Sequence, residues 1–154
     1  MLARWGFFPE GWHSAKIRPQ NNARVETGAS KPMFRSAYSG RHCLVLTDGF
    51  YEWKTTGTRK QPYRFPLKSG EPFAMAGIYA RSENESDPMT FAILTTDAKD
   101  VMRPVHDRMP VILPLGREKG WLPAGGVPYF NPFPAKLTEM HSKKDAAEMR
   151  GIVT

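Results

Sequence analysis

The stretch Cys43-Leu44-Val45-Leu46-Thr47-Asp48-Gly49-Phe50-Tyr51-Glu52-Trp53 decides the fold class. Two runs of strand-forming residues flank Thr47-Asp48-Gly49, and Asp-Gly between such runs predicts a hairpin. Outward from it, residues 63–65, 73–79, 90–95 and 110–113 read as further strands, separated by Gly57, by Ser69-Gly70 and by the polar loop 81–88. Fourteen prolines and thirteen glycines leave few windows long enough for an ordinary helix. Short helices are expected over 98–102, behind Thr96-Asp97 as an N-cap pair, and over 142–149, where Ser142 is placed to cap. No repeat or linker interrupts the 154 residues, a length that suits one core. The expectation is a single domain of class α+β spanning 1–154, β-rich, with antiparallel barrel-like sheets and a few short helices.

The runs free of charged or strongly polar residues, 73–80 and 120–130 among them, are far short of the roughly 18 apolar residues of a membrane span. The amino terminus Met1-Leu2-Ala3-Arg4 lacks the basic and apolar regions of a secretory signal, so a cytoplasmic chain without a membrane partner is expected. A lone cysteine, Cys43, excludes an internal disulfide and a cysteine-based metal site, and no cofactor or metal is expected. The net charge of +7 is unevenly placed. Residues 1–64 hold 11 Lys and Arg against four acids, whereas residues 65–154 hold 11 of each. The basic part also contains Trp5, Trp12 and Trp53, and cations interleaved with flat rings suit phosphate neutralisation and base stacking on single-stranded nucleic acid. A basic surface kept for solubility accounts for the same composition.

Four stretches carry more functional groups than a β core needs: Asn22-Ala23-Arg24-Val25-Glu26-Thr27, residues 48–54, Thr95-Thr96 and His106-Asp107-Arg108-Met109-Pro110. Strand alternation puts Glu52 on the face of Phe50, where an apolar border would raise its pKa and suit it to proton transfer near neutrality. The plain alternative is an outward carboxylate paired with Lys54 or an arginine. His106, in a dense polar turn, is the acid–base candidate, and a histidine that merely satisfies loop hydrogen bonds is the alternative. Asn22 and Arg24, two residues apart, would share a strand face and could hold a sugar oxygen and a phosphate. Cys43, in an apolar run, reads as a packed small hydrophobe rather than a nucleophile.

In order along the chain, Trp5-Gly6-Phe7-Phe8-Pro9, Asn22-Ala23-Arg24-Val25-Glu26-Thr27, Lys31-Pro32-Met33-Phe34-Arg35, residues 43–54, Lys60-Gln61-Pro62-Tyr63, residues 106–113 and Pro132-Phe133-Pro134-Ala135-Lys136-Leu137 resemble the blocks of the SRAP family, the SOS-response-associated peptidases also described as abasic-site processing proteins. The resemblance implies a monomeric DNA-damage protein of bacterial or phage type, with a basic cleft for single-stranded DNA containing abasic sites. It further implies an enzyme that removes its own initiator Met and crosslinks covalently to the lesion. In that scheme the α-amine of an N-terminal cysteine condenses with the open-chain sugar aldehyde, and its thiol closes a thiazolidine. Carried over, Glu52 would be the acid–base group at the sugar, His106 would assist ring opening and proton transfer, and Asn22 would hold the sugar or the N-terminus. Arg24, Trp12, Met33, Arg35 and Arg4 would bind DNA. Family members begin Met-Cys-Gly-Arg well before the Trp-Gly block, whereas here Trp5-Gly6 follows Met1-Leu2-Ala3-Arg4 directly, and His141-Ser142-Lys143-Lys144-Asp145 replaces the usual Val-Ser and Val-Asn signature. A chain shortened at its amino end and lacking the nucleophile is therefore expected. Three functions follow: the crosslinking enzyme, a non-covalent single-stranded DNA-binding module on the same cleft, and a structural remnant without a ligand.

Overall fold

The computed structural model describes residues 3–11, 17–82, 87–99 and 101–122. Its centre is the strand pair β6 (Phe73–Ala80) and β7 (Met89–Asp97), the most apolar part of the chain. Alternation on β6 sends Ala74, Ala76, Ile78 and Ala80 into one core cluster and Phe73 and Met75 into the other, so the strand is buried on both faces. One edge of β7 carries two short parallel partners, β1 (Ala3–Trp5) and β2 (Asn22–Arg24). Its other edge pairs antiparallel with β6 and then with β8 (Arg108–Pro110). Beyond β8 the chain bridges back to β6 at Met75 and Ile112, which curls the sheet into a half-barrel. On the far side of β6 lies β3 (His42–Thr47), paired antiparallel from His42↔Ile78 to Thr47↔Phe73. The β-rich, barrel-like α+β class read from the sequence is the class observed, with parallel pairings of β1 and β2 added to the antiparallel core.

The expected hairpin around Asp48-Gly49 is not there. Both strands form, but β4 (Phe50–Thr56) turns away from β3 and pairs with β5 (Arg59–Phe65) in a separate two-stranded sheet. Gly49 does not adopt the positive φ that a two-residue Asp-Gly hairpin turn requires. A side chain there would press on the Arg64 guanidinium at 3.2–3.3 Å, and Arg64 in turn pairs with Asp48 at 3.0 Å. The Asp-Gly pair is thus a corner between two sheets, and the hairpin turn is at Gly57, where φ is +59°.

Helices are short. After β2 come α1 (Val25–Gly28) and α2 (Pro32–Tyr38), the latter started by proline in its first turn. Gly28 lets the Tyr38 ring close on α1: a Cβ at that position would lie 2.6 Å from the ring, and the Tyr38 hydroxyl donates to the Val25 carbonyl at 3.3 Å. The helix expected over 98–102 is replaced, in its described residues, by turns closing from Met102 N–H to the Lys99 carbonyl and from Val105 N–H to the Met102 carbonyl. The one expected over 142–149 lies outside the described residues, as does the block 132–137. Finally α3 (Glu118–Trp121) docks on β3, with Trp121 stacked on His42 at 4.0 Å and its indole N–H donating to the Cys43 carbonyl at 3.0 Å. No described helix is long and apolar enough to cross a membrane.

Candidate active site

The corner at Asp48-Gly49 has a consequence for chemistry, because β4 turns away from β3 there and a cavity of about 550 Å³ is lined by β4 on one side and residues of the main sheet on the other. The candidate functional side chains on its walls come from four separate elements. Strand β2 contributes Asn22 and Arg24, β4 contributes Glu52 and Trp53, the turn before β8 contributes His106, and β8 contributes Arg108. The period-two reading of β2 holds, since Ala23 is buried in the core while Asn22 and Arg24 are exposed on the opposite face.

Glu52 is half-buried, and Phe50 on its face stacks on Phe65 in the core. Burial pushes the Glu52 carboxyl above the ordinary glutamate value; the charge of His106 and a hydrogen bond from the Trp53 backbone oppose that rise, and Asp107 adds to it. Among the described residues Glu52 stands in no ion pair with Lys54 or an arginine. His106 is held at Nδ1, which accepts from the Arg108 backbone N–H at 3.0 Å, so the neutral ring carries its proton on Nε2. The Arg108 carbonyl at 3.1 Å and an Asp107 carboxylate oxygen at 3.3 Å flank the same nitrogen and are placed to accept a hydrogen bond from it when Nδ1 carries a proton.

Arg108 was not singled out from the sequence, yet it organises this wall. Its guanidinium donates to both carboxylate oxygens of Glu26 at 3.1 and 2.9 Å, to Asp97, and to the Thr95 carbonyl at 2.7 Å. The hydrogen bond from Arg108 holds the Glu26 carboxyl below its usual range. One nitrogen, Nε of Arg108, is buried without a partner among the described residues. Lys31, at the start of α2, and Trp5, whose indole N–H donates to the Asn21 carbonyl at 2.8 Å, also line the cavity and were not among the site residues expected. Their signal was present in the basic, tryptophan-bearing first part, but composition does not say which cations converge.

Of the residues expected to bind DNA, Arg24 lines the cavity. Arg4 does not: alternation on β1 turns it from Trp5 into a separate cavity of about 350 Å³ beside Arg81 and Thr90. Arg35 is exposed on α2, and Met33 packs against the core, neither lining the cavity. Trp12 lies outside the described residues. Cys43 is half-buried away from the cavity, and burial pushes its thiol up to about 11. A roomier groove of about 620 Å³ between Leu46, Leu67 and Leu115 is predominantly apolar and holds no histidine–carboxylate pair, so its volume does not make it the site.

The family model described as SOS response associated peptidase (SRAP) matches residues 1–149. The chain belongs to the SRAP family. It is 42% identical over 123 residues to the abasic site processing protein YoaM of Bacillus subtilis, covering 77% of this chain and 54% of YoaM. It is 33% identical to the abasic site processing protein YedK of Escherichia coli, covering 77% of this chain and 52% of YedK. The SRAP chain thus spans about half the length of these curated relatives. A crystal structure of a protein from Bordetella bronchiseptica superposes with a TM-score of 0.78 at 31% identity, covering 92% of this chain and 76% of that one.

Proposed function

We propose that this SRAP chain processes abasic sites in single-stranded DNA, with Glu52, His106 and Asn22 acting on the sugar and Arg24 holding the adjoining phosphate. The observation that carries the reading is the convergence of these four side chains, from three distant parts of the sequence, on one cavity. Opening the sugar hemiacetal removes a proton from the anomeric hydroxyl, forms the C1 carbonyl, breaks the bond from C1 to the ring oxygen and delivers a proton to that oxygen. One base and one acid are therefore needed within reach of one sugar. The half-buried Glu52 carboxyl with its raised pKa and the His106 imidazole held at Nδ1 would supply that pair, and Asn22 can donate to a sugar oxygen. Names given to the relatives, abasic site processing proteins, point to the same substrate. In the complete family form the aldehyde so exposed is captured by an N-terminal cysteine as a thiazolidine, and the same amino terminus is freed by removal of the initiator Met.

A second reading is favoured by a specific observation: among the described residues no thiol faces the cavity, and Cys43 is a packed, high-pKa group elsewhere. On that reading the chain as given holds abasic single-stranded DNA without a covalent bond. Incubation with an abasic oligonucleotide followed by a denaturing gel separates the two. A persistent shifted band marks the crosslink; salt-sensitive binding without it marks the module. Arg24→Ala should reduce the slope of log affinity against log salt by about 0.7, the value of one phosphate contact on a single strand. Binding that ignores salt altogether would remove DNA from the cavity.

A further inference from the structure

We propose that the outer half of the β4–β5 hairpin is a second nucleic-acid contact, in which Lys54 and Arg59 bind the phosphates of the strand as it leaves the cavity past Glu52. The proposal rests on the reading of the cavity as a single-stranded DNA site and extends it to a path. Register fixes the geometry. Residues directly opposite each other in an antiparallel pair share a face, so Phe50 with Phe65, Glu52 with Tyr63, Lys54 with Gln61 and Thr56 with Arg59 form one continuous stripe. Along it the surroundings change in order: Phe50 and Phe65 are stacked in the core, Glu52 faces the cavity, Lys54 is half-buried just outside, and Arg59 is exposed at the tip. Each step of two residues advances about 6.6–6.8 Å, a stride suited to successive phosphates of an extended strand. Trp53, 42% exposed, lies between Glu52 and Lys54 in sequence and so on the other face of the ribbon, and it is not part of the stripe.

Charge supports the same path. Residues 53–63 contain Lys54, Arg59 and Lys60 and no acid. Two other cations near the site are already paired, Arg64 with Asp48 at 3.0 Å and Arg108 with Glu26 at 2.9 Å, whereas Arg24 and Lys31 line the cavity itself. Lys54, Arg59 and Lys60 stand in no ion pair among the described residues. Like charges gathered on a two-stranded ribbon repel and destabilise it. Protection of the ribbon's free edges against strand addition would be served by charge of either sign. A single sign, aligned with the cavity mouth, fits a polyanion.

The test uses the whole chain and oligothymidylates of about 4 and about 12 nucleotides, with affinity followed against salt. The double substitution Lys54→Ala with Arg59→Ala removes exposed or half-exposed side chains and should keep the circular dichroism and melting profile. Its salt slope on the longer oligonucleotide should fall by about 1.4, two contacts at about 0.7 each, while affinity for the shorter one stays within about twofold. A control pair on another surface, Lys68→Ala with Lys119→Ala, should leave both unchanged. An unaltered slope in the hairpin variant, with wild-type chain still binding, overturns the hairpin path and leaves the cavity reading standing. No salt-sensitive binding by the wild type overturns both. Vesicles containing phosphatidylserine provide a different polyanion, and hairpin-dependent capture by them that matches the DNA effect would overturn the assignment to nucleic acid.

Discussion

Strands β6 and β7 and the β4–β5 ribbon are neighbours in one molecule that meet water in opposite ways. On β6 every residue except Tyr79 is buried, whereas on the ribbon burial is reached at Tyr63 and Phe65 and is lost towards the tip. The first region holds the fold together; the second holds a carboxylate at a chosen depth. Glu52 could not sit on β6, where two apolar faces would leave its charge without solvent or partner. At the rim it is desolvated enough to shift and wet enough to exchange protons.

The largest expected effect breaks the first region. Ile78 is fully buried, and Ile78→Ala should cost about 2–5 kcal/mol, read as a lower urea midpoint with unchanged slope. Trp53→Ala on the ribbon, where the side chain is 42% exposed, should cost within about 1 kcal/mol. Equal losses from the two would mean the ribbon is as much a part of the core as β6, and the division of labour would collapse.

Next comes the wall that links the regions. The Arg108 side chain is 12% exposed, and Arg108→Ala deprives Glu26, Asp97 and the Thr95 carbonyl of their donor at a cost of about 2–3 kcal/mol at neutral pH. The pH dependence has a definite sign. Because Glu26 has a lowered pKa when folded, its contribution is present above the ordinary glutamate value and disappears as pH falls through the lowered one. The gap between wild type and variant should therefore narrow on acidification, and a gap that widens would show that Glu26 is not the partner that matters.

What could be read in the sequence divides along the same line. Residues 73–79 and 90–95 were legible as strands because an uninterrupted apolar run bounded by turn residues has few other solutions. Asn22, Arg24, Glu52 and His106 were picked out as candidates and the fold brings them to one cavity, and the face shared by Asn22 and Arg24 followed from period two alone. The partner of β4 was not legible. Asp48-Gly49 carries a strong local turn signal, but the Arg64 pairing and the docking of Phe50 on Phe65 are long-range terms that no window around the turn contains. Arg108 was missed for a related reason: its importance lies in Glu26 and Asp97, one of them 82 positions away. Helix α2 was passed over because Pro32 reads as a breaker, although proline in the first turn starts a helix as readily as it stops one.

A smaller effect is expected at Cys43. Its thiol is pushed up to about 11 by burial, so the thiolate is scarce at neutral pH and a thiol reagent should react far more slowly with the folded chain than with the urea-unfolded one. Cys43→Ser places a hydroxyl on the same strand at a cost of about 1 kcal/mol and should leave DNA affinity unchanged. Loss of DNA binding with the fold intact would move Cys43 into the site.

The smallest effect sharpens the comparison most, since it concerns Glu52 alone. Its carboxyl is raised chiefly by burial. Between the ordinary glutamate value and the raised one, the folded chain keeps a proton that the unfolded chain has released, so stability falls as pH rises through that window and stays lower above it. Glu52→Gln has no such charge to desolvate. The two proteins should melt together at the acid end of a series from about pH 4 to about pH 8, and the variant should melt slightly higher at the neutral end. The difference is small because the side chain is only half-buried and water screens it. The amide keeps the size of the carboxyl, so affinity for single-stranded DNA should hold within a few fold while any covalent step slows, because the amide cannot pass a proton. A wild type that is instead the more stable protein at neutral pH would mean that the attraction of His106 outweighs desolvation, making Glu52 an ordinary ion-pair partner and depriving the proposed sugar chemistry of its acid–base group.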